Sequence, residues 1–305
     1  MSAHPRWRAD VALVFVCMVW GATFVLVKGA LADVSTLLFL ATRFTLAAAA
    51  LALVFLGPMR RAGNRGRAVR GGVVAGVLLF TGYALQTFGL KLTTASKTAF
   101  ITALYIPLVP VFSALIHRKA PQVAESAGVL MAAVGMALMT AHRNLLEVSL
   151  GDLLVAGGAV AFALHIVALG HFARAADTGT LAVTQIATCA VLAGALFWWA
   201  EPVHVRWTAR VWVALAVTSL LATALAFSVQ TWAQRFSSPT RTALVFALEP
   251  VFAWVTSWLV AGETLTGRTL GGAALILAGI VLAELKPFGT PAHPSAGSRP
   301  EAPII

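Results

Sequence analysis

Residues 83–99, YALQTFGLKLTTASKTA, return 144 positions later as residues 227–243, FSVQTWAQRFSSPTRTA. The two segments align without a gap, and polar, charged and aromatic positions take part in the match. The matching pairs are Tyr83 with Phe227, Gln86 with Gln230, Thr87 with Thr231, Phe88 with Trp232, Lys91 with Arg235, Lys97 with Arg241, Thr98 with Thr242 and Ala99 with Ala243. Similarity of a chain to itself at a fixed offset indicates an internal structural repeat.

The repeat extends in both directions from these segments. The same offset of 144 places Gly128 on Gly272 and Gly135 on Gly279, and an offset of 142 places Thr42-Arg43 on Thr184-Gln185. We therefore predict a first repeat over residues 1–145 and a second over residues 146–287. The Pro-rich segment 288–305 is predicted to be disordered.

Composition excludes a soluble fold. Of 305 residues, 59% are hydrophobic and only 11% are charged, and the mean hydropathy is +0.87. A water-soluble protein of this size needs a larger charged surface. Hydropathy predicts an all-α membrane protein with ten transmembrane helices, at residues 11–27, 37–56, 72–90, 98–116, 126–140, 153–171, 181–199, 211–232, 242–260 and 269–285.

The number of spans and the distribution of charge predict the topology. Each repeat has five spans, and an odd number of spans makes the second repeat cross the membrane in the opposite direction to the first. Two inverted five-helix repeats are therefore expected. With the N-terminus inside, 14 Lys and Arg residues face the cytoplasm and seven face the other side. The positive-inside rule therefore favours two cytoplasmic termini and a multi-pass protein of the cell inner (plasma) membrane. This reading explains the net charge of +11 without a nucleic-acid partner.

Six short motifs lie on or next to the predicted spans. They are Trp20-Gly21-Ala22-Thr23-Phe24 with Lys28, Arg43-Phe44, the run from Thr93 to Ile101, Leu248-Glu249-Pro250-Val251, Gly262-Glu263 and the run from Gly271 to Gly279. Together they resemble the motifs of the EamA family of the drug/metabolite transporter superfamily. The resemblance covers about residues 10–287 and implies a ten-helix carrier that exports amino acids, other metabolites or toxic compounds.

Charged and titratable residues within spans are the first candidates for a transport site, because such residues are costly in a bilayer. Glu249 is the one carboxylate in the interior of a predicted span, whereas Glu284 lies at the very end of the tenth, and no predicted span contains Asp. Glu249 is either a proton-coupling group or a structural acid. Arg43 is the one Lys or Arg within a predicted span, so it must face water, pair with Glu249, or reach lipid headgroups from near the outer interface. His165 is either a second proton-coupling candidate or an ordinary core histidine.

Amides and aromatic residues complete the predicted substrate and translocation site. Gln86 and Gln230 can hydrogen-bond a ligand without carrying charge, although amides also join helices within membranes. Pro107, Pro110 and Pro250 are expected to interrupt spans four and nine at corresponding places, a common feature of central transport sites. The full predicted set is Trp20, Thr23, Arg43, Tyr83, Gln86, Tyr105, His165, Gln230, Glu249 and Trp254.

The predicted function is secondary transport by alternating access, with export of small metabolites or drugs. Counterflow, in which preloaded substrate accelerates uptake of labelled substrate, would identify a carrier. Partners are the substrate, the bilayer and, if Glu249 or His165 titrates, protons. A channel or lipid scramblase is the main alternative, and neither shows counterflow. A membrane-embedded enzyme lacks a nucleophile with a base or a metal cluster within the spans. No cofactor or metal is expected, because Cys17 and Cys189 lie in apolar runs without a CxxC motif.

Overall fold

The computed structural model describes residues 4–61, 65–93, 95–118, 122–140, 149–261 and 266–284. These residues form an all-α fold, with one isolated β-bridge between Val34 and Val205. The predicted disordered tail lies outside the described residues. The helices are α1 His4–Gly21, α2 Thr23–Ala30, α3 Thr36–Arg61, α4 Arg65–Leu92, α5 Ala95–Thr102, α6 Tyr105–His117, α7 Val123–Thr140, α8 Leu150–Ala173, α9 Thr178–Leu196, α10 Ala209–Ala216, a π-helical segment Val217–Leu225, α11 Ala226–Ala233, α12 Pro239–Phe246, α13 Glu249–Ala261 and α14 Gly267–Glu284.

Seven helical stretches in the described residues are long and apolar enough to cross a bilayer. They coincide with predicted spans one to four and six to eight. Shorter apolar helices at Val123–Leu138 and Gly267–Ala283 coincide with predicted spans five and ten, and α12 with α13 covers predicted span nine. The chain is therefore a multi-pass α-helical membrane protein.

Two helical stretches are interrupted at positions that differ by the repeat offset. Residues 103–104 separate α5 from α6, and residues 247–248 separate α12 from α13. Pro107 is the third residue of α6 and Pro250 is the second residue of α13. Proline fits the first turn of a helix, where its missing N–H would have no intrahelical partner. The prolines therefore mark new helix starts inside the bundle.

Side-chain caps begin several helices. Ser149 accepts a hydrogen bond from the backbone N–H of Asp152, and the Asp152 carboxylate accepts one from the Ser149 N–H, which forms a capping box at α8. Asp177 caps α9 and Thr208 caps α10 through a hydrogen bond of the same type. Ser238 caps α12, with Pro239 at the first helical position. Each cap satisfies a backbone donor that has no intrahelical acceptor.

Glycines allow α7 and α14 to pack in direct backbone contact. A Cβ on Gly135 would lie 2.5 Å from the carbonyl oxygen of Gly272, and a Cβ on Gly279 would lie 2.5 Å from that of Gly128. Only glycine fits at such separations. Because the later residue of α7 lies against the earlier residue of α14, the two helices are antiparallel.

Candidate functional site

A central cavity brings together polar side chains from both halves of the chain. Its wall combines ring faces, aliphatic residues and a few polar groups, as expected for a small-molecule site. Nine of the ten residues predicted from the sequence line it: Trp20, Thr23, Arg43, Tyr83, Gln86, Tyr105, His165, Gln230 and Glu249.

Arg43 is held by neutral groups. Its side chain, on α3, is only 4% exposed. Nε donates a 2.8 Å hydrogen bond to Thr223 Oγ1, and Nη2 donates one of 3.2 Å to the Tyr83 hydroxyl. The guanidinium carbon lies 4.5 Å from the centroid of the Tyr83 ring, within range of a cation–π interaction.

The contacts and burial of Arg43 contradict two of its predicted interpretations, a pair with Glu249 and contact with lipid headgroups. No salt bridge joins Arg43 to Glu249 among the described residues, because hydroxyl groups of α4 and the π-helical segment occupy two edges of the guanidinium. The burial of Arg43 also excludes contact with lipid headgroups. The prediction of an Arg43–Glu249 pair was therefore wrong in this conformation.

The π-helical segment Val217–Leu225 positions side chains from two other helices. Its wider turn changes the backbone hydrogen-bond pattern, and such segments occur often at functional sites. The indole Nε1 of Trp20 donates a 2.8 Å hydrogen bond to the carbonyl oxygen of Ala222. The next residue, Thr223, accepts the hydrogen bond from Arg43. The segment therefore ties α1 and α3 to the same wall of the cavity.

Glu249 and Tyr105 meet inside the cavity. The Tyr105 hydroxyl donates to Glu249 Oε2 over 3.4 Å. Tyr105 is the first residue of α6, and Glu249 is the first residue of α13. The N-terminal ends of two helices therefore adjoin the cavity, and the positive end of a helix dipole favours a carboxylate there.

The two predicted amides have different partners. Gln86 Nε2 donates a 2.9 Å hydrogen bond to Thr102 Oγ1, and this bond links α4 to α5. Gln230 Nε2 donates to Gln234 Oε1 over 3.2 Å. The side chain of Gln230 is 1% exposed, and its Oε1 has no hydrogen-bond partner in the described part of the chain. Gln230 therefore lines the cavity and carries a buried acceptor that no described donor satisfies.

His165 belongs to a buried network that joins three helices. Its Nε2 lies 3.0 Å from Gln185 Oε1, and Gln185 Nε2 donates to Thr231 Oγ1 over 2.9 Å. Because an amide oxygen only accepts, this bond requires the imidazole tautomer with its proton on Nε2. Within the described ranges, no group of three or more His, Cys, Asp or Glu side chains is arranged to hold a metal ion.

Trp254 is the predicted site residue that does not line the cavity. It follows Glu249 by five residues on α13, and this spacing turns it about 140° around the helix axis from Glu249. Several lining residues were not predicted: Phe162, Phe227, Phe246 and Thr102. The internal repeat could have identified Phe227, which occupies the position equivalent to Tyr83. Phe162 and Phe246 carry no signal that separates them from core phenylalanines.

Outside the cavity, three ion pairs among the described residues connect the halves of the chain. One of them, Arg206 with Asp33 at 3.7 Å, has a mostly exposed arginine, and the other two are less exposed. Lys97 Nζ lies 3.0 Å from Asp152 Oδ2, and Arg241 binds both carboxylate oxygens of Asp10 at 3.1 and 2.7 Å. Both aspartates lie within helical stretches that can cross a membrane, so the expectation of no Asp in any span was wrong. Asp152 lies in the first turn of α8, where the helix dipole favours a carboxylate, and each aspartate has a basic partner that compensates its charge.

These features are those of a multi-pass membrane protein with a central polar cavity, and comparisons with known proteins identify the family. The EamA-like transporter family model matches residues 7–141 and again residues 149–285. An "Uncharacterized transporter" of Archaeoglobus fulgidus is 31% identical over 287 residues, which cover 92% of this chain and 87% of the relative. "Uncharacterized transporter YvbV" of Bacillus subtilis is 27% identical over 94% of each chain.

A solved crystal structure shares the fold. The two structures superpose with a TM-score of 0.76 at 23% sequence identity, over 92% of this chain and 98% of the other. The family matches span most of the chain, and the chain belongs to the EamA-like transporter family. It is a transporter of the drug/metabolite type, which confirms the resemblance noted in the sequence.

Proposed function

We propose that the protein is a secondary carrier that exports small metabolites or drugs by alternating access, with the substrate bound in the central cavity. The observation that carries this proposal is the cavity wall, to which α1 to α6 from the first half and α8, α11, α12 and α13 from the second half contribute side chains. A carrier needs such a site between moving parts, where a substrate that has lost its water can recover hydrogen bonds.

Inverted repeats of five helices would supply the two moving parts. Gly128 and Gly135 correspond to Gly272 and Gly279 in the repeat, and each glycine of one pair packs against the opposite member of the other. This reciprocal, antiparallel arrangement is expected for two copies related by a two-fold axis in the membrane plane. Ten spans and domains at residues 1–145 and 146–287 follow from the same relation.

Two of these ion pairs, the ones with the less exposed side chains, suit the closing of opposite membrane faces. Lys97 corresponds to Arg241 at the offset of 144, and Asp10 corresponds to Asp152 at 142, so the pairs are equivalents of each other. Each pair joins one repeat to the other. Under the proposed topology, Asp10 and Arg241 lie near the cytoplasm and Lys97 and Asp152 near the outside. Opening either face would separate one pair while the other remained closed.

Glu249 and His165 are the proposed proton-coupling groups. A carboxyl in the cavity can change its charge when it binds a proton or a substrate, and this change would favour one access state over the other. His165 lies in the same wall, but both its observed burial and its bond to Gln185 suit a structural role as well. Glu249 is therefore the first candidate.

Counterflow in proteoliposomes tests the proposal. Compounds are first selected by growth of an overexpressing strain on toxic amino acids, amino-acid analogues and cationic drugs. Vesicles containing the purified protein are then loaded with a selected compound and diluted into its labelled form. A carrier accumulates label transiently, whereas a channel equilibrates it without overshoot and an enzyme alters it chemically. Absence of overshoot for every compound that confers a growth phenotype would overturn the proposal.

A further inference from the structure

Arg43 places a positive charge in the cavity wall that no acidic side chain neutralises in the described part of the chain. An arginine keeps its charge throughout the physiological pH range. The salt bridges of the described residues use other bases, and the hydrogen bonds of Arg43 lead to two hydroxyl groups. A buried charge without a counter-ion is unfavourable, and inside a membrane it marks a functional position.

The geometry around Arg43 leaves part of the guanidinium available. A guanidinium carries five N–H donors, and the bonds to Thr223 and Tyr83 use two of them. The guanidinium carbon lies over the Tyr83 ring, 4.5 Å from its centroid. These contacts fix the orientation of a planar fork that matches carboxylate and phosphate oxygens in a bidentate arrangement.

A second group in the wall also lacks a partner. Gln230 Oε1 is buried and accepts no hydrogen bond from the described residues, although buried acceptors are normally satisfied. Arg43 comes from the first half of the chain and Gln230 from the second, and both line the cavity. A ligand between them would supply an acceptor to Arg43 and a donor to Gln230.

We propose that Arg43 binds an anionic oxygen group of the transported substrate, a carboxylate or a phosphate, and thereby restricts transport to organic anions and zwitterions. This inference rests on the proposed function, because it assigns the substrate to the same cavity. Aromatic lining residues such as Trp20, Phe227 and Phe246 would contact the rest of the molecule.

Matched ligand pairs test the inference on the full chain purified in detergent. The probes are 3-phenylpropanoate with 3-phenylpropanamide, L-phenylalanine with phenethylamine, and phenyl phosphate with phenol, each at millimolar concentration. Thermal stabilisation is expected from at least one anionic or zwitterionic member and not from its partner. The first two pairs report a carboxylate and the third reports a phosphate. Stabilisation by no anionic or zwitterionic member, or equal stabilisation by both members of every active pair, would overturn the inference.

Arg43 variants connect any stabilisation to this side chain. Arg43→Gln should weaken binding at least roughly tenfold, because it removes the charged partner of the anion. Arg43→Lys should weaken it less, since the charge remains without the fork. Arg70→Gln removes the same charge from an exposed position on α4 and should leave affinity unchanged. Undiminished binding by a monodisperse Arg43→Gln protein would also overturn the inference.

The inference and the transporter proposal can fail separately. If a neutral or purely cationic compound shows counterflow and anions do not bind, the protein is a carrier and the Arg43 assignment is wrong. If an anion binds through Arg43 but gives no counterflow, the anion site stands and the carrier mechanism is wrong.

Discussion

The Tyr105 hydroxyl lies 3.4 Å from Glu249 Oε2, and the two residues are separated by 144 positions, which equals the repeat offset. Each is the first residue of its helix after an interruption of the chain. Equivalent positions of the two halves therefore meet at the cavity. The pair is chemically asymmetric, because only the second half carries an ionisable carboxyl there, so the two halves have become specialised.

Removing the titratable proton of Glu249 should uncouple transport from the proton gradient. Glu249→Gln keeps the size of the side chain and an acceptor for Tyr105, so the helix ends should still pack. Gradient-driven transport is expected to fall at least roughly tenfold and to lose its pH dependence, while counterflow continues. Tyr105→Phe removes the hydrogen bond but keeps the carboxyl, so its transport should remain pH-dependent. If Glu249→Gln retains the wild-type pH profile, the acid is structural and His165 becomes the next residue to test.

Neutralising one ion pair should bias the protein toward one access state. Asp10→Asn removes the charge that binds Arg241, whereas Asp152→Asn removes the charge that binds Lys97. The readout is the rate at which a reagent labels a cysteine introduced at Thr23 in the cavity. Asp10→Asn should raise the rate of labelling from the cytoplasmic face several-fold, and Asp152→Asn should raise the rate of labelling from the outside several-fold. The exchanged pair Asp10→Arg with Arg241→Asp should restore the wild-type ratio. Equal effects of both Asn variants on both faces would contradict alternating closure.

Much of the cavity wall follows from the sequence because polar groups are rare in apolar spans. Arg43, His165 and Glu249 are costly to place in a membrane, and their side chains gather where the bundle provides polar surroundings. The internal repeat added Gln86 and Gln230 to the predicted site, because they occupy equivalent positions in the two halves of the sequence. No such signal marks Phe162, because a phenylalanine is favourable in a membrane span whether it faces lipid, the core or the cavity.

The partners of the polar residues could not be predicted, because they depend on helix geometry. Periodicity gives no indication of the π-helical turn that brings Thr223 to Arg43. The starts of α1 and α8 were predicted too late in the chain, because a hydropathy window begins a span at its first apolar residue. Asp10 and Asp152 were therefore assigned to loops. Their basic partners are distant in sequence, and the salt bridges became evident only from the packing.

Replacing either cavity amide with leucine should weaken substrate binding without preventing membrane insertion. Gln86→Leu and Gln230→Leu each remove a group able to hydrogen-bond the substrate, worth about 0.5–1.5 kcal/mol, or a several-fold loss of affinity. The measurement is concentration-dependent transport at matched surface expression. A thermal shift in detergent identifies loss of folding, which could follow loss of the Gln86–Thr102 bond. Transport equal to wild type by both well-folded variants would contradict their place in the site.

Two glycine-to-alanine changes in α14 should differ in their effect on stability. A Cβ on Gly279 would lie 2.5 Å from the Gly128 carbonyl oxygen, whereas a Cβ on Gly271 would have no heavy atom within 4 Å. Gly279→Ala should force α7 and α14 apart and destabilise the protein by roughly 1–3 kcal/mol. Gly271→Ala should be neutral or slightly stabilising, because alanine favours a helix. Thermal unfolding in detergent makes the comparison, and equal melting temperatures would contradict the close helix contact.

Thiol labelling of intact cells should distinguish the two faces of the bundle. Val203 lies between α9 and α10 and is 48% exposed, and Val123 begins α7 and is 86% exposed. The proposed topology places Val203 outside and Val123 in the cytoplasm, because an odd number of spans separates them. In a background with Cys17 and Cys189 replaced by alanine, an impermeant maleimide should label Val203→Cys at once. Val123→Cys should react only after the cells are permeabilised. The opposite pattern would place the N-terminus outside, and equal labelling of both would contradict the odd number of crossings.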